Sequence, residues 1–63
     1  MEELLTEKEV AGIYEVLPTT VQQWRYKGIG PAYFKQGGLI RYRRSDVQKH
    51  IDSLVVEPEP KAK

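Results

Sequence analysis

The chain has no cysteine and a single histidine, His50, so it can form no disulfide and offers almost no ligands to a structural zinc. A 63-residue chain is in the size range where one thin core rarely suffices and small domains lean on cross-links, a metal, a partner or tidy packing. With the first two excluded, packing or a partner must do the stabilising. Long apolar runs are missing as well, and nothing approaches the ~20 residues of a membrane span. The opening Met1-Glu2-Glu3-Leu4-Leu5 is acidic and has neither the basic start nor the apolar stretch of a secretory signal. These absences lead to the expectation of a cytoplasmic location and no membrane partner. There is no Ser-His-acid set with workable spacing, no phosphate loop and no metal cluster. The chain is therefore expected to have no catalytic residues, metal site, cofactor or small-molecule ligand.

The net charge of +1 conceals a strong segregation. Residues 1–17 carry Glu2, Glu3, Glu7, Glu9 and Glu15 against Lys8, a sum of −4. Residues 18–44 carry Arg25, Lys27, Lys35, Arg41, Arg43 and Arg44 and no acid, a sum of +6. An uninterrupted basic block in a chain otherwise rich in acid points to a surface that faces a polyanion.

Local signals divide the chain into short elements. Thr6 followed by Glu9 is a capping box, with Leu5 before the cap placed to staple onto Val10. The helix it starts runs to about Tyr14, and Gly12 inside it implies close packing against another element. Residues 15–17 form a turn, Pro18 suits the first position of a second helix, and that helix ends at Gly28 ahead of Pro31. Ala32–Lys35 and Ile40–Arg43 flank Gln36-Gly37-Gly38-Leu39 and read as a β-hairpin. Alternation along each strand puts Phe34, Ile40 and Tyr42 on one face and Tyr33, Lys35, Arg41 and Arg43 on the other. Ser45 with Gln48 reads as the capping box of a third helix, on which Val47, Ile51 and Leu54 make one apolar stripe. The expected organisation is one domain over 1–54 and a disordered, charged, Pro-containing tail over 55–63.

Two helices joined by a three-residue turn make the minimal helix-turn-helix, whose second helix enters the major groove of duplex DNA. Here that helix gathers Leu17, Val21, Trp24 and Gly28 on one side. Its other side presents Thr19, Gln22, Gln23 and Tyr26, flanked by Thr20, Arg25 and Lys27, with no acid to repel phosphate. Glutamine matches the N6/N7 edge of adenine, while Arg25, Lys27 and the threonines suit phosphates, which position without specifying. Trp24, Tyr14 and Tyr42 read as core, the Trp24 indole N–H seeking a backbone carbonyl. Tyr26 and Tyr33 are the exposed tyrosines. The hairpin residues Lys35, Gly37, Gly38, Arg41, Arg43 and Arg44 form a cationic wing for the sugar-phosphate backbone or a narrow minor groove. Leu39 at its tip is a tolerated surface residue, a wedge, or a contact to a neighbouring protein. The fold class is thus α+β, mostly helical: a winged helix-turn-helix of three short helices with a two-stranded hairpin between the second and third.

The run Leu5-Thr6, Glu9-Val10-Ala11, Pro18 to Arg25, Gly28-Ile29-Gly30-Pro31, Gly37-Gly38 and above all Arg41-Tyr42-Arg43-Arg44-Ser45-Asp46-Val47 resembles the excisionase and AlpA-like domains. These are small winged-helix relatives of the MerR DNA-binding domain from phages and bacterial mobile elements. The resemblance spans about residues 4–54 and departs from the family pattern at Glu15, Leu17, Leu39 and His50. It implies DNA reading by residues 19–27 and backbone or minor-groove contact by residues 35–44. It also implies a nucleoid-associated, phage- or bacterium-encoded protein, with an integrase or other recombinase as partner. The expected function is an excisionase that binds cooperatively and bends DNA. A small AlpA- or MerR-like transcriptional regulator is the alternative within DNA binding. From another class, the alternative is a protein-interaction module with a basic docking surface. The acidic first segment and basic middle further suggest head-to-tail self-association on DNA.

Overall fold

The computed structural model describes residues 2–58, in the order β1 (Leu4–Leu5), α1 (Glu7–Tyr14), α2 (Pro18–Lys27), β2 (Phe34–Gln36), β3 (Leu39–Arg43) and α3 (Arg44–Leu54). The three helices and the hairpin expected from the sequence form, and β1 is an addition to them. It lies antiparallel on β3, with Leu4 opposite Arg43 and Leu5 opposite Tyr42, giving a sheet of order β1-β3-β2. Two residues are too few to show a strand period, which is why alternation could not reveal it.

The capping box of α1 closes as its residue types dictate: the Thr6 N–H donates to Glu9 Oε1 at 2.8 Å and the Glu9 N–H donates to Thr6 Oγ1 at 3.1 Å. Leu5 and Val10, the staple pair, are both buried. Gly12 does not pack closely against anything, since a Cβ there would meet no atom within 4 Å. The close approach inferred for it is therefore corrected; the position is simply exposed.

α1 and α2 end in the same motif. Glu15 stands left-handed at φ 59°, ψ 44°; its N–H donates to Gly12 O at 3.2 Å and the Val16 N–H to Ala11 O at 2.9 Å. Gly28 stands at φ 73°; its N–H donates to Arg25 O at 3.2 Å and the Ile29 N–H to Trp24 O at 2.9 Å. Both are Schellman closures, which use a left-handed residue to satisfy the last helical carbonyls. Only the second gives that place to glycine.

The hairpin register corrects the faces drawn from alternation. Phe34 lies opposite Arg41, Lys35 opposite Ile40 and Gln36 opposite Leu39, so the turn is the two residues Gly37-Gly38. Gly37 has φ 61°, the sign a II′-type hairpin turn requires at its first central position. Directly opposed residues share a face. Phe34 and Leu39 therefore belong with Arg41 and Arg43, while Lys35 and Tyr33 belong with Ile40 and Tyr42. Alternation taken strand by strand lets each aromatic choose the core. A two-residue turn ties their parities together and overrides that choice.

At the start of α3, the Ser45 cap does not form. β3 runs straight into the helix, Arg43 stands at the cap position, and no side chain caps from within. The orphan donors are met from the N-terminal segment instead: the Arg44 N–H donates to Glu3 O at 3.1 Å and the Ser45 N–H donates to the Glu2 carboxylate. Hydrogen bonds from Ser45, side chain first and backbone second, hold the Glu2 carboxyl below its ordinary pKa. Gln48 donates to Asp52 Oδ1 rather than back to the cap.

Leu5, Val10, Ala11, Val21, Tyr42 and Val47 form the core, with Tyr14, Val16, Trp24, Ile40 and Ile51 packed around it. Fully burying an apolar side chain of this size is worth about 1.5–3 kcal/mol, so so small a set leaves little to spare. Leu17 and Leu54, expected inward, are exposed, and Phe34 is only half-buried. Each apolar stripe outlasts the core beneath it: Leu17 precedes the first turn of α2 and Leu54 closes the last turn of α3. The disordered tail expected over 55–63 lies outside the described residues from 59 onward; residues 55–58 follow α3 without regular structure. No helix among the described residues is long and apolar enough to cross a membrane.

Candidate nucleic-acid interface

α2 keeps part of the expected division between an inner and an outer side. Val21 is buried and Trp24 packs inward, its ring meeting Tyr14 edge-on at 5.2 Å and 77°. Among the described residues, no carbonyl accepts from the Trp24 indole N–H, so that expected bond is absent. Thr19, Gln23, Tyr26 and Lys27 are exposed and Thr20 and Gln22 half-buried. No acid lies on the helix, and Arg25 and Lys27 fall in its last turn, where cations complement the helix dipole. The outward surface is thus a set of hydrogen-bonding groups without negative charge.

Arg25 departs from this surface. Its side chain retains only 14% of its accessibility, and Nη2 donates to Glu7 Oε2 on α1 at 2.9 Å. The guanidinium carbon also lies 6.0 Å from the Tyr26 ring centre and 5.8 Å from that of Tyr33, within cation–π range. Tyr33 in turn lies 5.9 Å from the buried Tyr42. Arg25 is a tie between α1, α2 and the hairpin, so its geometry does not offer it to phosphate. Glu7 was not singled out from the sequence, because nothing in its spacing pairs it with a residue on the next helix.

The wing projects Lys35, Gly37 and Gly38 into solvent, with Arg41 half-buried. Arg41 Nη1 donates to Ile40 O at 2.7 Å, which bends the side chain along its own strand. Arg43 and Arg44 are exposed but paired. Arg43 Nε donates to Asp46 Oδ2 at 2.8 Å, and Arg44 Nε to Glu3 Oε1 at 2.8 Å. The Asp46 hydrogen bond raises the Arg43 pKa. Exposed pairs of this kind are worth about 0–1 kcal/mol, so a phosphate can take either arginine from its carboxylate. Among the described residues, Lys27, Lys35 and Arg41 are the interface cations with no acid within salt-bridge distance.

Leu39 is exposed beside the turn, on the side of the hairpin that carries Arg41. The Tyr14 hydroxyl and His50 Nδ1 lie 2.8 Å apart, joining α1 to α3. Burial raises the Tyr14 pKa. His50 is thereby a half-buried strut between α1 and α3, and no group of three or more metal-ligating side chains occurs among the described residues.

A family described as a helix-turn-helix domain matches residues 4–54. No curated protein matches the chain.

Proposed function

The chain belongs to the helix-turn-helix domain family, which includes excisionase and AlpA-like proteins, and on that premise we propose that it reads a specific duplex site in the manner of an excisionase. It is a small DNA-binding domain, for which the family points to a non-enzymatic role. In the proposed reading α2 enters the major groove with Thr19, Thr20, Gln22, Gln23, Tyr26 and Lys27. The wing lays Lys35, Gly37, Gly38, Arg41 and, once released from their carboxylates, Arg43 and Arg44 along the backbone or minor groove. Arg25 supports the reading helix from behind. The observation that carries this is the acid-free outward face of α2 beside a protruding basic hairpin. In this reading the domain acts architecturally in excision, shaping DNA for an integrase-class recombinase as partner.

Self-association rests on less than the charge segregation suggested. Glu7 and Glu3 are paired with Arg25 and Arg44 within the fold, which leaves Glu2 and Glu9, bonded only to N–H groups among the described residues, and Glu15 as the unpaired acids of the segment.

The test is selection of a preferred duplex from a randomised pool, followed by binding at a series of salt concentrations and a bending assay on the selected site. The reading expects one preferred sequence, a steep salt dependence and a measurable bend. Salt-dependent binding with no preference and no bend would refute it.

A further inference from the structure

The two glutamines of α2 are in different situations. Gln23 is exposed and makes no hydrogen bond among the described residues, whereas Gln22 is half-buried and its Nε2 donates to the Tyr26 hydroxyl at 3.4 Å, one helical turn on. The Tyr26 ring is steadied in turn by the Arg25 guanidinium at 6.0 Å, and Arg25 by Glu7 at 2.9 Å. A line of contacts thus runs from α1 through Glu7, Arg25 and Tyr26 to the Gln22 amide.

An amide recognises adenine by accepting from N6 with its oxygen and donating to N7 with one N–H. It has a second N–H to spare. The Tyr26 hydroxyl takes one amide N–H of Gln22, leaving Oε1 and the other N–H for a base. A free glutamine must give up rotamer freedom to reach this arrangement, and a partner on its own helix removes part of that loss before DNA arrives. Building on the proposed duplex-reading function, we infer that Gln22 is the adenine-specifying residue, that Tyr26 is its positioning residue, and that Arg25 anchors Tyr26 rather than a phosphate.

The experiment compares the wild-type chain with Gln22→Ala, Gln23→Ala, Tyr26→Phe and Arg25→Gln, each profiled against the randomised duplex pool and against one non-cognate duplex over a salt series. A wrong base at a well-made bidentate contact costs roughly 5- to 150-fold. Gln22→Ala is expected to abolish an adenine preference at one base pair. Tyr26→Phe, which removes only the hydroxyl of a residue 78% exposed, is expected to weaken that same preference about three- to tenfold. Its thermal midpoint should stay unchanged. Arg25→Gln is expected to weaken the same preference and leave the salt slope as it was, where loss of a phosphate contact would lower the slope by about 0.9.

An unchanged profile for Tyr26→Phe, with the preference lost in Gln22→Ala, overturns the positioning role and leaves the duplex-reading function standing. So does a Tyr26→Phe chain that weakens on every sequence equally. Loss of adenine preference in Gln23→Ala alone reverses the assignment. A reduced salt slope in Arg25→Gln returns Arg25 to the backbone. Profiles unchanged in both glutamine variants sink the recognition-helix function itself.

Discussion

Replacing Glu15 with glycine should stabilise the protein, although the glutamate is exposed and the change removes a side chain. Glu15 holds φ 59°, ψ 44°, a conformation that costs a residue with a Cβ about 1–2 kcal/mol. Glycine removes that strain but brings about 0.4–1 kcal/mol of extra freedom in the unfolded chain. Loss of a negative charge from the C-terminal end of α1 adds up to about 0.3–1 kcal/mol in favour of the variant. The net is a gain of about 1 kcal/mol, which in a domain of this size raises the midpoint by roughly 4–8 °C. Thermal and urea unfolding followed by far-ultraviolet circular dichroism would measure it. Two companions separate the causes. Glu15→Ala discharges the position and keeps the strain, so it should gain only the charge component. Gly28→Ala places a Cβ at φ 73° in the equivalent motif of α2 and should lose about 1 kcal/mol or more. If Glu15→Gly is neutral or destabilising, or if Glu15→Ala matches it, the backbone argument is wrong.

Leu17 stands at the N-cap of α2, 69% exposed and without a capping hydrogen bond. Leu17→Ser should therefore raise stability by about 0.5–2 kcal/mol in the same unfolding assay. Because the folded-state pKa of Glu2 is lowered, its contribution is present above the ordinary value of 4.5 and is lost as the pH falls through the depressed one. Glu2→Gln should flatten that part of the acid limb when midpoints are compared between pH 7 and pH 3. Arg41→Ala should weaken binding to all duplexes and lower the salt slope by about 0.9, and a change of base preference instead would place Arg41 in a groove.

Most of the fold could be read from the sequence because its signals are local. The Thr6–Glu9 box, Pro18, Gly28 and the Gly37-Gly38 pair each fix an element within a few residues, and each forms. What escaped was long-range or depended on parity. β1 has no period of its own and exists because β3 offers it an edge. The cap of α3 comes from Glu2 and Glu3, more than forty positions away in the chain, where a motif search confined to the helix finds only Ser45. The face of Phe34 follows from the turn rather than from its hydrophobicity. For the interface, residue type located the basic wing and the outward face of α2, but it could not tell which arginines already have partners. Arg25, Arg43 and Arg44 are identical letters with different neighbours, and only folding brings Glu7, Asp46 and Glu3 beside them.

The attachment of β1 has a kinetic consequence. The helix-turn-helix and the hairpin close over short loops, whereas Leu4 and Leu5 meet their partners only after the chain between them has been drawn together. Closing so long a loop carries a larger entropic cost than closing the helix-turn-helix or the hairpin, and contacts of this separation slow folding. β1 is therefore expected to dock late and to open first in the native state, by sub-global unfolding that leaves α1, α2 and the hairpin intact. Amide exchange should report it: the Arg44 and Ser45 N–H groups, protected by Glu3 and Glu2, should exchange ahead of Val10 and Val21 and together with one another. During synthesis the same contact cannot form until residues 42–45 have emerged, so Glu2 and Glu3 are free while Arg44 and Ser45 are still being made.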